Sequence, residues 1–348
     1  MKKKIVICCD GTANQFGKKN TNVVKLYSLL NKGTQKTFYD PGVGTSAGIN
    51  VYSKISRSYF WLLGLGFGLG LNTNVQQAYK FLMDHYEEGD DVFLFGFSRG
   101  AYTVRVLAGM VYMCGLLDKG NESHIPYAYS LYTRKKIDFD LLRHFKKTFS
   151  TRDIDFHFMG LWDSVSSVGT IRDMRNYPYT STIHNVRIVK HAIAIDEKRA
   201  YYKNNSITST SKSTVEEVWF AGVHSDIGGS FPENENGLGK ITLKWMIDAA
   251  ILEGLEIDHE KYQKIIKEKE NYSGCNHKDP IHKNAWWWGI FELFPRKKKT
   301  YFDGKEKVRW YLPLWRRKRI PRGAQIHESV LKRKEEMGYN PSNLKNRN

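Results

Sequence analysis

The stretch DVFLFGFSRGAYTVRVLAGM, residues 91–110, sets a continuous apolar run against a helix-length segment with only Gly96-Phe97-Ser98-Arg99-Gly100 between them. An apolar run without polar alternation reads as a strand buried on both faces, as in parallel sheets covered by helices on either side. The join leaves no room for a loop, so the chain turns sharply at Ser98. A turn of that kind forces the serine into a strained conformation, tolerable only with small neighbours, which Gly96 and Gly100 supply.

The rest of the chain repeats the alternation. KIVICCD (4–10), QKTFYDPGVGT (35–45) running into a Pro-Gly turn, DIDFHFMGLWD (153–163), NVRIVKHAIAID (185–196) and VEEVWFAGVHSD (215–226) read as strands. TNVVKLYSLLN (21–31), NVQQAYKFLMDHY (74–86) and GKITLKWMIDAAILEGL (239–255) carry apolar residues at helical spacing. The expected fold class is α/β, with a mainly parallel central sheet and helices on both faces. Residues 1–260 read as one catalytic core. Residues 261–348 read as a basic, tryptophan-rich extension packing on it as a cap or membrane-facing layer. YFWLLGLGFGLGL (59–71) is too short to span a bilayer, and its glycines favour a loop or lid over a helix.

A serine placed at such a turn is a candidate nucleophile if a base and an orienting acid lie at other strand ends. In this architecture the order is serine, acid, histidine. Asp163 and His224 each follow a buried strand and precede small residues; Asp196, at the end of HAIAID, is the alternative acid. His184, His191 and His327 read as core, edge or tail histidines. The backbone N–H of Arg99, with that of Gly11 or Thr12 in CDGTAN, is the expected oxyanion donor set. CDGT is also similar to the start of a haloacid-dehalogenase phosphatase motif, but its nucleophile position is Cys8, which forms no aspartyl-phosphate. A second alternative is a divalent cation held by Asp10, Asp163, His224 and Asp226 in a phosphoester hydrolase, and a third is an idle scaffold that binds lipid or protein.

The net charge of +18 points to an anionic partner. Basic PRKKKT (295–300) and LWRRKR (314–319) lie near the tryptophans of AWWWGIFELF (285–294), Trp310 and Trp315, which reads either as a solvated basic surface with the tryptophans packed inward or as a face suited to an anionic membrane surface. No nucleic-acid motif accompanies the charge. Cys8, Cys9, Cys114 and Cys275 fit neither a disulfide framework nor a zinc site, and the N-terminal apolar run stops at Asp10, too soon for a signal-peptide core. The expected location is cytoplasmic, with peripheral membrane contact open.

ICCDGTANQ, YDPGVGT, GFSRGAYTVR, MGLWDSVSSVG, VWFAGVHSDIGGS and IHESVLKRKEEMGYNPSNL occur in that order. Together they resemble the bacterial and fungal α/β-hydrolase domain of the first class of type VI lipase effectors, over most of residues 4–230 and again at 323–344. The resemblance implies an α/β-hydrolase fold, a Ser98–His224–Asp163 triad, hydrolysis of phospholipid acyl esters, and no cofactor. At 348 residues the large appended membrane-binding domains of those effectors are not expected, so the expectation covers the serine-hydrolase chemistry and not delivery by a type VI apparatus.

Overall fold

The computed structural model describes residues 2–11, 17, 19–42, 65–165, 168–170, 173–175, 177–202, 205–268, 273–284, 289, 292–293, 295–302 and 305–345. Seven strands form the main sheet: β1 (Lys4–Cys9), β2 (Gln35–Asp40), β3 (Asp91–Phe97), β4 (Phe156–Trp162), β5 (Val186–Ala194), β6 (Thr214–Phe220) and β7 (Gln325–Ile326). Their spatial order is β7-β6-β5-β4-β3-β1-β2, with every neighbouring pair parallel. All the carboxyl ends therefore lie along one edge, where ligands of open α/β sheets bind.

Alternation along the central strands builds a core on each face. Ile5, Ile7, Val92 and Leu94 pack under α2 (Leu65–His85) and α3 (Arg99–Cys114). Val6, Cys8, Phe93 and Phe95 pack on the other face under α1 (Asn22–Leu29) and α5 (Gly237–Leu252). Because β1 and β3 are covered on both sides, almost every residue in them is buried and their sequences read as unbroken apolar runs. α1 starts where the Thr21 hydroxyl accepts the Val24 N–H. α3 ends at Gly115 (φ 71°), whose N–H closes on the Val111 carbonyl.

Residues 65–71, expected to be a loop or lid, are instead the first turns of α2; residues 59–64 lie outside the described residues. Glycine costs a helix about 1 kcal/mol per residue relative to alanine. Further along the same helix Val75, Ala78, Tyr79, Leu82 and Met83 are fully buried, and tertiary packing of this kind is what outweighs local propensity.

The C-terminal region re-enters the sheet. After an antiparallel hairpin (Arg296–Phe302 with Lys305–Tyr311), β7 pairs with β6, and Ile320 and Val330 pack against Ile193 and Trp219. Residues 285–288 of the tryptophan run lie outside the described residues. Among the described residues no helix is long and apolar enough to cross a membrane.

Candidate active site

The turn between β3 and α3 has the strain its sequence predicts. Ser98 sits at φ 58°, ψ −117°, a region that costs a non-glycine residue about 1–3 kcal/mol. It is held there by its N–H, which donates to the Trp162 carbonyl (3.0 Å), and by its own carbonyl, which accepts from Tyr102 N (3.3 Å) at the helix start. Glycine is required on both sides. A Cβ at Gly96 would lie 2.5 Å from the backbone of Gly100 and Ala101, and one at Gly100 would lie 2.0 Å from the Cys9 carbonyl oxygen.

Two other strand ends meet this serine. His224 opens the short helix α4 (His224–Gly228) just after β6, and Asp163 (φ 37°) follows β4. His224 Nε2 lies 2.8 Å from Ser98 Oγ, and its Nδ1 lies 2.7 Å from Asp163 Oδ2. The imidazole is sandwiched by Phe97 and Tyr202, with ring centroids at 4.7 and 4.6 Å. Asp163 is fully buried, and its Oδ1 also accepts the Ala194 N–H (3.0 Å). The Lys318 ammonium donates to both carboxylate oxygens, at 2.7 and 2.9 Å.

Charge follows from this geometry. Burial alone would raise the Asp163 carboxyl, but the Lys318 ammonium and the His224 hydrogen bond outweigh it and hold the carboxyl well below the usual carboxylate range. An ionised Asp163 only accepts, so Nδ1 of His224 carries the proton and Nε2 faces the serine hydroxyl as an acceptor. Burial lowers the His224 pKa from the ordinary histidine value and outweighs the raising effect of Asp163, which leaves the ring neutral and able to take a proton near pH 7.

The remaining sequence candidates fall elsewhere. Asp196, the alternative acid, accepts from Gly222 N (2.9 Å) and the Tyr339 hydroxyl (2.7 Å) and pairs with Arg317 (3.3 Å), so it ties down the C-terminal region instead of His224. Replacing it by asparagine is expected to lower stability by about 1–3 kcal/mol in urea unfolding. It should leave the labelling rate of Ser98 by a fluorophosphonate within about threefold of wild type; a loss as large as that of an Asp163 variant would restore it as the acid. Gly11, one of the two residues expected to give the second oxyanion donor, makes a local contact. Its N–H is committed to Asp10 Oδ1 (2.6 Å), whose other oxygen takes Thr21 Oγ1 (2.6 Å) and the Tyr39 hydroxyl (3.1 Å). Thr12 lies outside the described residues. Arg99 opens α3, and the N–H groups of a first turn are those a helix does not itself bond.

The four residues of the cation alternative are split among separate networks. Asp226 accepts from Val223 N (2.9 Å) and faces His282 Nδ1 (2.6 Å), Asp10 holds its own loop, and Asp163 faces Lys318 and His224. Among the described residues no group of three or more His, Cys, Asp or Glu side chains is placed to hold a metal ion. Sequence reasoning missed three neighbours. Glu197 accepts the His224 N–H (3.2 Å) and pairs with Arg199 (2.8 and 2.9 Å); Arg199 in turn packs over Tyr202. The third is Lys318, from a run read as basic surface. The only signal for the first two was their adjacency to Asp196 in DEKRA.

A sharp strand–serine–helix turn at the carboxyl edge of a parallel sheet, facing a histidine and a buried carboxylate, defines the α/β-hydrolase class. The chain belongs to the family described as T6SS, Phospholipase effector Tle1-like, catalytic domain, whose model matches residues 3–249. The chain is 39% identical over 224 residues to "Uncharacterized protein YEL023C" of Saccharomyces cerevisiae, covering 59% of this chain and 33% of the yeast protein. It therefore spans about a third of that relative's length. Two solved structures are also similar. One is an uncharacterized protein from Pseudomonas aeruginosa (17% identity, 76% of this chain, 48% of that chain, TM-score 0.47). The other is the Tle1 effector bound to the VgrG spike from the Type 6 secretion system (19% identity, 68% of this chain, 52% of that chain, TM-score 0.36).

Proposed function

We propose that this chain is a serine esterase that cleaves the acyl esters of phospholipids through Ser98, His224 and Asp163. The observation that carries this reading is the continuous hydrogen-bonded path from Ser98 Oγ to a buried, ionised Asp163 through a neutral imidazole. Family membership supports a lipid substrate, and the net charge of +18 favours an anionic membrane surface.

In this mechanism Ser98 Oγ attacks the ester carbonyl carbon while its proton passes to His224 Nε2. The carbonyl π electrons move onto oxygen, and the Arg99 N–H stabilises the resulting oxyanion. Collapse expels the alkoxide of the lysolipid, which takes the proton back from His224. Water, deprotonated by the same nitrogen, then attacks the acyl carbon, and His224 returns that proton to the departing Ser98 Oγ as the fatty acid is released. Asp163 stays ionised throughout and offsets the imidazolium charge.

Purified protein is expected to release fatty acid from phosphatidylglycerol vesicles and to label with a fluorophosphonate, and Ser98→Ala to lose both. Labelling should fall as pH drops through the lowered His224 value, because the base must be unprotonated. Labelling with hydrolysis confined to short water-soluble esters would leave a serine esterase but remove phospholipids. Absence of labelling in folded wild-type protein would leave the idle scaffold.

A further inference from the structure

We propose that Lys318 is a positioning residue of this site, holding both oxygens of Asp163 so that the C-terminal segment becomes part of the proton relay. The inference rests on the Ser98–His224–Asp163 reading. Lys318 lies well beyond residue 249, where the family match ends, and nothing in that match assigns it a role.

The geometry is that of a built contact. The Lys318 side chain is 6% exposed and Asp163 is 0% exposed, with the ammonium 2.7 and 2.9 Å from the two oxygens. Its backbone is pinned on both sides: the N–H donates to the Glu197 carbonyl (3.3 Å), and the carbonyl accepts from Asn343 Nδ2 (2.9 Å). The same Asn343 amide donates to the Ile195 carbonyl (2.9 Å), just beyond β5. Arg317 and Tyr339, from the same region, meet Asp196. Two residues after Lys318, the buried Ile320 packs against Ile193 and Trp219. A lysine fixed this way does not swing out to solvent, and a fully buried carboxylate gains a permanent counter-ion.

The consequence is electrostatic. Asp163 and a neutral His224 carry one negative charge, which Lys318 cancels. When His224 accepts the serine proton, the three groups carry one net positive charge in place of the neutral ion pair that Asp163 and His224 would form alone. Lys318 thus opposes proton uptake by the Asp163–His224 pair, which titrates as a unit. It trades basicity for a carboxylate that never protonates, and it keeps the base free at lower pH. The other charged groups around the pair are fixed in their own contacts. Glu197 receives the His224 N–H, Arg199 pairs with Glu197 over Tyr202, and Asp226 of α4 faces His282. Behind Asp163, His191 accepts the Ser164 N–H (3.1 Å) and faces Glu217 (2.8 Å).

The test is the pH dependence of fluorophosphonate labelling in the full chain, with circular dichroism as the fold control, for wild type, Lys318→Met and Lys318→Arg. Removing the cation with methionine is expected to move the acid limb up by about one pH unit, because one unit of charge a few ångströms away has that order of effect. Lys318→Arg keeps the charge and should leave the limb near its wild-type position. If Lys318→Met does not accumulate as folded protein, Lys318→Gln is read the same way. An unmoved limb in a folded uncharged variant overturns the proposal, as do equal shifts in Met and Arg. Labelling that persists in Ser98→Ala is a different result: it removes the serine-hydrolase reading itself.

Discussion

Asp163→Asn is expected to slow fluorophosphonate labelling about 10⁴-fold at pH 7, as loss of the orienting acid does in serine hydrolases. Two causes act together. An asparagine amide has one acceptor and one donor where the carboxylate had two acceptors. If its NH₂ faces His224 Nδ1, the ring takes the opposite tautomer, and Nε2 carries a proton and cannot accept one from Ser98. If its oxygen faces His224, the NH₂ is turned toward the Lys318 ammonium and the Ala194 N–H, donor against donor. Either way the Lys318 charge is left buried without a counter-ion, which costs about 3–5 kcal/mol. Urea unfolding should therefore register a loss that a surface Asp→Asn would not. The double variant Asp163→Asn, Lys318→Met separates the causes: much of the stability is expected to return, and the labelling rate is not. Asp163→Asn within tenfold of the wild-type rate would remove Asp163 from the mechanism.

The order of elements was legible because packing leaves a local signature. DVFLFGF is a strand covered on both faces, so it has no polar alternation, and TNVVKLYSLLN sends Val23, Leu26 and Leu29 into the core, so it has helical periodicity. Ser98, Asp163 and His224 stood out because each follows such a run, and a parallel sheet brings carboxyl ends to one edge. What was hidden depends on distant partners. Nothing in LWRRKR distinguishes Lys318 from Arg316 or Arg319, since its partner lies 155 positions away in the chain. Between Asp163 and Asp196 the local signal is thin, because both close apolar strands and only Asp163 precedes small residues; in the fold Tyr339 and Arg317 meet Asp196. The contact of the Gly11 N–H with Asp10 Oδ1 depends on how the Asp10 side chain turns back on its own loop, and the helical state of residues 65–71 on a packed stripe that starts at Leu71 and runs on through α2. Local propensity favoured the wrong answer there.

Gly100→Ala is expected to destabilise the protein by about 4 kcal/mol or more, among the largest effects a single methyl group can have. The new Cβ would lie 2.0 Å from the Cys9 carbonyl oxygen, 2.4 Å from its carbon and 2.6 Å from the Asp10 carbonyl oxygen. All three are backbone atoms, so no side-chain rotation relieves the contact. Cys9 cannot retreat cheaply, because β1 is paired with β2 on one side and β3 on the other. The helix cannot retreat either, since Ala101, Val104 and Ala108 of α3 are fully buried in the core. A domain stable by about 5–15 kcal/mol would lose a large part of its margin. Soluble yield and the urea midpoint should both fall. Gly17→Ala, where the new Cβ meets nothing within 4 Å, is the matched control and should change stability by no more than about 0.5 kcal/mol. Any Gly100→Ala protein that does fold must have moved the helix start away from β1. Ser98 immediately precedes that turn at φ 58°, so its Oγ would leave the 2.8 Å contact with His224. Labelling per folded molecule should then fall as well. A variant as stable as wild type would mean that α3 and β1 do not approach this closely, and the need for glycine after the serine would have another origin.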